Sequence, residues 1–381
     1  MKRLLFISIL SFFSIIILAQ EKTIKGKITD KESGEEIAYT NIGIEGTMYG
    51  TASDTDGLFE LKIPDGYENA TIYFSAVGYT NRIIVATEIT GQEFVTISLE
   101  EQTYGIEGID VAAQSKVLFR IIRTASEKIK DNYMAGPIGL KMYFAEKQNG
   151  KNREAVITLS DLDGYRNPTV LNAFKSRNYK FMEAKRDFEV YSFTQGTTGF
   201  DELLEADIAR MGNTILNKNL ISDYNLQLEK STVFNGDSVW VIDYKTSKTD
   251  LAHTGSYGAV KFSGKIFISK TDYGIVRNEL EIESGKQNQQ GRSLATGEKG
   301  NTNVTDNITV GYKKIKDKYV LSFIDSKKQF INADRQQLSV NQTTTVMDVQ
   351  TRNFPMIDSR NYFENVEFNS TFWVNFIRPK N

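Results

Sequence analysis

The residue types that can do chemistry are few. The chain of 381 residues has one histidine, His253, and no cysteine. Zinc sites built on several histidines, cysteine metal sites, thiol nucleophiles and disulfides therefore cannot form within one chain. His253 lies in Asp250-Leu251-Ala252-His253-Thr254-Gly255-Ser256. A Ser-His-Asp triad is assembled in space, and no G-x-S-x-G elbow marks a nucleophile for it. His253 reads as a solvated loop residue. No phosphate-binding loop or dinucleotide fingerprint occurs. The best carboxylate pair for glycosidase-type acid and base work is Asp161 and Asp163, in Asp161-Leu162-Asp163-Gly164. A turn accounts for that spacing better. Asp54 and Asp56 could ligate calcium, but a calcium site draws about six to eight oxygens from more positions than these, and a tight turn before Gly57 fits better. No catalytic, cofactor-binding or metal-binding residue is expected, and no cofactor. The binding residues carry no sequence signature.

Charge points the same way. Lys plus Arg number 46 and Asp plus Glu 48, so the surface lacks the basic excess that nucleic acid requires. Hydrophobic residues make up 40% and charged residues 25%, enough apolar material for a sizeable core. At the start, Lys2 and Arg3 precede an apolar run, Leu4 to Leu18, interrupted only by serines and followed by Ala19-Gln20-Glu21. The run is shorter than a membrane span of about 20 residues and has the layout of a secretory signal peptide, with Ile17 and Ala19 before the cleavage point. Residues 1–19 are expected to be removed on export to the periplasm, to the outer membrane or beyond the cell. No later stretch is apolar enough for a transmembrane helix.

Short alternating strands fill the next 80 or so positions. Ile24–Ile28, Ile42–Ile44, Leu58–Ile63, Ile72–Ala76 and Phe94–Leu99 are separated by Asp30-Lys31-Glu32-Ser33-Gly34, Asp54-Thr55-Asp56-Gly57 and Pro64-Asp65-Gly66. This pattern predicts a β-sandwich over residues 20–100, with Phe59 in its core. Its motifs come in a fixed order: Gly26-Lys27-Ile28-Thr29-Asp30, Ile37, Asn41-Ile42-Gly43-Ile44, Gly50-Thr51, Ser53-Asp54-Thr55-Asp56-Gly57-Leu58-Phe59, Pro64, and Phe74-Ser75-Ala76-Val77-Gly78-Tyr79. In these the segment resembles the carboxypeptidase regulatory-like domain, a transthyretin-like module common in secreted Bacteroidetes proteins. The resemblance implies a seven-stranded sandwich and an accessory role. A zinc carboxypeptidase centre would need two histidines, which this chain lacks. Ala38-Tyr39 departs from the family, which usually has a proline nearby.

Residues 101–133 read as a polar linker containing Ile106, Ile109 and Val111, then an amphipathic helix from Lys116 to Tyr133. Its stripe is Leu118, Ile121, Ile122, Ala125 and Ile129, with Arg120, Arg123, Glu127 and Lys130 elsewhere. The linker is similar to segments preceding the plug of TonB-dependent receptors, although the remaining length is short of a receptor barrel of about 22 strands. From residue 134 to 381 longer strands resume: Leu140–Ala145, Ala155–Leu159, Leu226–Val233, Val239–Tyr244, Phe262–Ile268, Ile275–Glu283, Val320–Phe330 and Val340–Val349. In Ile275–Glu283, Val276, Leu280 and Ile282 face one way and Arg277, Glu279, Glu281 and Glu283 the other, as in an antiparallel sheet with one wet face. A second helix is expected over Asp201–Leu216, with Leu204, Ile208, Met211 and Ile215 on one face. Residues 167–188 stay unassigned, and Lys286–Asn303 reads as a loop.

The fold class expected is mainly β: the sandwich followed by a large curled antiparallel sheet, a half-barrel, with one or two helices. The runs Gly236-Asp237-Ser238-Val239-Trp240-Val241-Ile242-Asp243-Tyr244 and Gly264-Lys265-Ile266-Phe267-Ile268 are similar to the half-barrel of lipoprotein carriers and lipoprotein-sorting factors. Three functions compete. A non-enzymatic envelope protein would bind another envelope protein, a glycan or a lipid. A periplasmic carrier would show an apolar cavity of several hundred Å3, as small-molecule sites do, in a partly open concave face. A carboxylate hydrolase would show two carboxylates about 5–9 Å apart in an open cleft.

Overall fold

The structure is a computed structural model. It describes residues 22–45, 47, 49–76, 79–101, 103–104, 111–148, 151–187, 199–234, 237–256, 258–284, 304–331, 337–361 and 363–379. The leader expected at 1–19, Ile106, Ile109 and the loop 286–303 lie outside these residues.

Alternation builds the first unit. In β1 (Lys22–Asp30) Ile24 and Ile28 turn inward. The others are β2 (Asn41–Ile44), β3 (Gly50–Ala52), β4 (Leu58–Ile63), β5 (Thr71–Ser75), β6 (Arg82–Val85) and β7 (Val95–Leu99). They form two sheets, β4-β1-β7 and β3-β2-β5-β6, seven strands in all. Phe59 is fully buried between them, its ring edge-on to Phe74 at 5.6 Å. Strands β3 and β6 were not resolved individually in the sequence.

The second sheet holds β8 (Thr103–Tyr104), β9 (Ile138–Gln148), β10 (Lys151–Asp161), β11 (Arg177–Arg186), β12 (Asn225–Phe234), β13 (Asp237–Lys245), β14 (Ala259–Ser269), β15 (Ile275–Ser284), β16 (Val304–Ile315), β17 (Lys318–Ile331) and β18 (Gln337–Gln350). The strand order is β11-β10-β9-β18-β17-β16-β15-β14-β13-β12-β8, antiparallel throughout and open at β11 and β8. Strand β15 alternates as expected, with Asn278 as a further buried residue that accepts from the Tyr244 hydroxyl at 2.9 Å.

Helix Val111–Asn132 and the segment 199–223 pack on the inner face. Leu118, Ile121, Ile122, Ala125 and Ile129 share one core with Phe200, Leu203, Ile208, Ile215, Ile242, Ile266, Val310 and Ile324. Among the described residues the concave face is therefore packed, against the expectation of a partly open one. The expected helix 201–216 is three short turns: Gly199–Glu205, Ile208–Met211 and Thr214–Leu216. Asp207 caps the second turn by accepting from the Arg210 amide, and Gly212 ends it at φ 57°. The break lets Leu204, Ile208, Met211 and Ile215 all remain buried.

The outer face is covered twice. Helix Ser370–Asn375 sets Trp373 against Tyr143 and Val156. The sandwich docks beside it through Tyr39. That residue sits at φ 57°, stacks on Phe323 at 5.1 Å and donates its hydroxyl to Asp325 at 2.7 Å. The Arg277 guanidinium lies 5.2 Å from the same ring. Gly311 leaves room for Phe323: a Cβ there would stand 2.1 Å from the phenyl ring. Among the described residues no helix is long and apolar enough to cross a membrane.

Candidate functional site

His253 is not a solvated loop residue; it is 7% exposed. It lies in the short helix Leu251–Thr254, which Asp250 caps by accepting from the amides of Ala252 and His253. Its Nδ1 faces Asp250 Oδ2 at 2.7 Å and its Nε2 faces Asp223 Oδ2 at 2.9 Å. Burial pulls the imidazole pKa down, but hydrogen bonds to Asp223 and Asp250 outweigh it and leave the pKa above 6.5. Lys248 first, then His253, hold Asp223 below the usual carboxylate range, and His253 does the same for Asp250. An imidazolium with both nitrogens given to carboxylates has no lone pair for a general base. The group is a clasp between the short helix Leu251–Thr254 and the 3-10 turn Ile221–Asp223.

The carboxylate candidates are equally occupied. Asp161 accepts from the amides of Asp163 and Gly164 and from Arg210, Nε at 2.6 Å and Nη2 at 3.0 Å. Arg210 is 1% exposed. Asp163 accepts from the Ser176 hydroxyl, the main cause of a pKa below the usual range. The turn is real, and it carries a buried ion pair rather than an open acid–base pair. Asp54 uses one oxygen to accept from the amides of Asp56 and Leu58, at 2.9 and 2.7 Å, with Gly57 at φ 71°. Sequence reading missed Asp207. Burial raises its pKa; Arg177 at 3.6 Å and the hydroxyls of Tyr312 and Tyr165, both at 2.9 Å, oppose that rise. Its partners are dispersed along the chain, so no local motif marks it.

Two grooves are concave and rich in apolar side chains. The first, about 730 Å3, lies where the end of helix Val111–Asn132 meets helix Val170–Ser176, the turn after Met211 and helix Leu251–Thr254. Val170, Phe174, Met211, Leu216 and Leu251 supply its apolar lining, and Asn213, Asn217 and Lys218 its polar end. Val170 is 40% exposed and Leu251 42%, so the apolar lining reaches solvent. The His253 clasp fixes Leu251 and Ala252 in its wall. The second groove, about 710 Å3, runs between the sandwich, the outer face of β9 and β18, and the chain from Asn369 to Pro379.

Residues 24–111 match the family described as the CarboxypepD_reg-like domain, so the sandwich is a carboxypeptidase regulatory-like domain. Over 114 residues the chain is 31% identical to TonB-dependent receptor P3 of Formosa agariphila, a stretch that is 29% of this chain and 11% of the receptor. The chain thus spans only a small part of that relative's length. Among solved structures, a putative outer membrane lipoprotein-sorting protein domain from Vibrio parahaemolyticus aligns with 64% of this chain and 95% of its own, at 12% identity and a TM-score of 0.27. A DUF1329 family protein from Desulfovibrio piger aligns with 60% of this chain and 92% of its own, at 7% identity and a TM-score of 0.28.

Proposed function

We propose that the protein is a non-catalytic binding protein of the bacterial cell envelope, and that its second domain takes up an acyl chain or similar apolar ligand. The observation that carries this reading is the first groove. It is several hundred Å3 in volume, mostly apolar and edged by half-exposed aliphatic side chains, the makeup of a small-molecule site. Asn213, Asn217 and Lys218 at one end suit a polar head. The ligand sits on the helical cover, not inside the sheet. The absence of catalysis is supported by the engagement of His253, Asp161 and Asp163 described above. Envelope location is supported by the apolar leader and by the 114-residue similarity to a TonB-dependent receptor.

A fluorescent long-chain fatty acid tests the site. Micromolar uptake is expected, with a rise in Tm that grows with ligand concentration by mass action. Val170→Arg and Leu251→Arg should each abolish uptake while leaving the unliganded Tm within a few degrees, because both positions are already wet. Absence of uptake, or uptake unchanged in both variants, overturns the reading. For the address, protein recovered from the native host should begin at Gln20 or within a residue or two of it; an intact mass retaining Met1 overturns the cleavage.

A further inference from the structure

We propose that the second groove is a docking site for an extended polypeptide segment of a partner, which adds as a strand along β4. This site is separate from the acyl groove and does not depend on it. One wall is the side of the sandwich. There β3 and β4, each the last strand of its own sheet, lie next to each other. A terminal strand offers a row of backbone N–H and C=O groups with no neighbour on one side, which natural proteins normally blunt. The pairing of β1 with β4 runs from Lys22–Ile63 to Lys27–Leu58 without a bulge, and β4 holds no proline before Pro64. The edge is shielded by its surroundings instead. The outer face of the large sheet and the C-terminal segment stand opposite it and leave a slot rather than open solvent.

The slot has the chemistry of a peptide site. Met347, Phe372, Phe376 and Ile377 give an apolar surface for alternate side chains of an incoming strand, and the β4 edge can supply the main-chain hydrogen bonds. A hydrocarbon chain would leave that edge unused. Lys62 lines one wall and Lys141 the other. Lys141 is exposed and makes no ion pair among the described residues. An acidic side chain on the segment fits against Lys141, and Glu60 and Asp348 in the same lining disfavour a second one. The groove also continues the existing domain contact, because β3 touches β17 and β18 along the same seam as Tyr39.

The test is selection of a phage-displayed library of random dodecapeptides on the full chain. Enriched sequences should alternate apolar residues, carry an acidic residue and contain no central proline. Synthetic copies should slow amide exchange at Glu60–Lys62. They should lose at least tenfold in affinity on Lys141→Glu or Met347→Glu, with fatty-acid uptake unchanged. Lys62→Pro should block the edge; if that variant fails to fold, the exposed Lys141→Glu still decides. Enriched peptides that tolerate a central proline, or that bind Lys141→Glu and Met347→Glu equally well, overturn the proposal. So does a library that yields no peptide protecting Glu60–Lys62.

Discussion

Between Asp223 and Asp250, His253 works only while all three are charged. Its folded pKa lies above the unfolded value, so its contribution is complete below about pH 6.5 and fades as pH rises through the folded value. The two aspartates are shifted down, so theirs is present above about pH 4 and fades as pH falls through their folded values. The clasp should therefore be strongest at about pH 5–6. His253→Gln should lower Tm most in that window, and the gap to the native chain should shrink by about pH 9. Thermal melts across pH check it; a constant gap would show that the imidazole contributes packing alone. Two buried side chains give larger effects. Phe59→Ala should cost about 3–5 kcal/mol by opening a cavity in the sandwich. Arg210→Met should cost about 3–5 kcal/mol, because Asp161 is left charged and buried. Denaturant titration measures both.

Elements with clean periodicity are legible in the sequence. Helix Val111–Asn132 buries the very stripe its spacing dictates, and β15 divides its faces as written. Elements that mix polar and apolar residues on an inward face are not. Strand β11 alternates Tyr179 and Phe181 inward, but Arg177 is buried too, reaching Asp207 from the same strand. In β16 the inward Asp306 sits beside Lys328 of β17 and accepts from Ser326, so the strand begins with the polarity of a loop. Burial raises the Asp306 pKa, and Lys328 opposes it. The apolar spacing of residues 201–216 is compatible with one helix, whereas Asp207 is needed as a cap and as a partner for Arg177. The site was less legible than the fold. Asp223 stands 30 residues from His253, and Arg210 stands 49 from Asp161. Such pairs are fixed by how the sheet brings loops together, which no short motif encodes. Asp207→Ala tests the break directly. It removes the cap and leaves Arg177 without its carboxylate, and a loss of about 3–5 kcal/mol is expected. A loss below about 1 kcal/mol would mean that the turn holds without it.

The sandwich and the large sheet have separate cores, and besides the chain that joins them they meet along a seam where β3 faces β17 and β18 and Tyr39 makes the most specific contact. A tyrosine in the left-handed region carries a backbone cost of about 1–2 kcal/mol. Here the surroundings hold it there through Phe323, Asp325 and Arg277. Three outcomes separate the parts. Tyr39→Phe keeps the stack and loses the hydroxyl, costing about 0.5–1.5 kcal/mol. Tyr39→Ala loses both. Gly311→Val keeps Tyr39 but drives a side chain into the Phe323 ring, so the stacking surface must move. If the contact couples the two cores, calorimetry of the native chain gives one transition, and Tyr39→Ala and Gly311→Val each resolve it into two. The upper transition should then match the more stable domain alone. Amide exchange should rise along β3, which faces β17 and β18, while the centre of each sheet stays protected. The peptide groove shares that seam, so both variants should also weaken selected peptides, even though neither residue lines it. A single transition with an unchanged midpoint in both variants would show that the domains are coupled elsewhere, and peptide affinity would then be expected to survive.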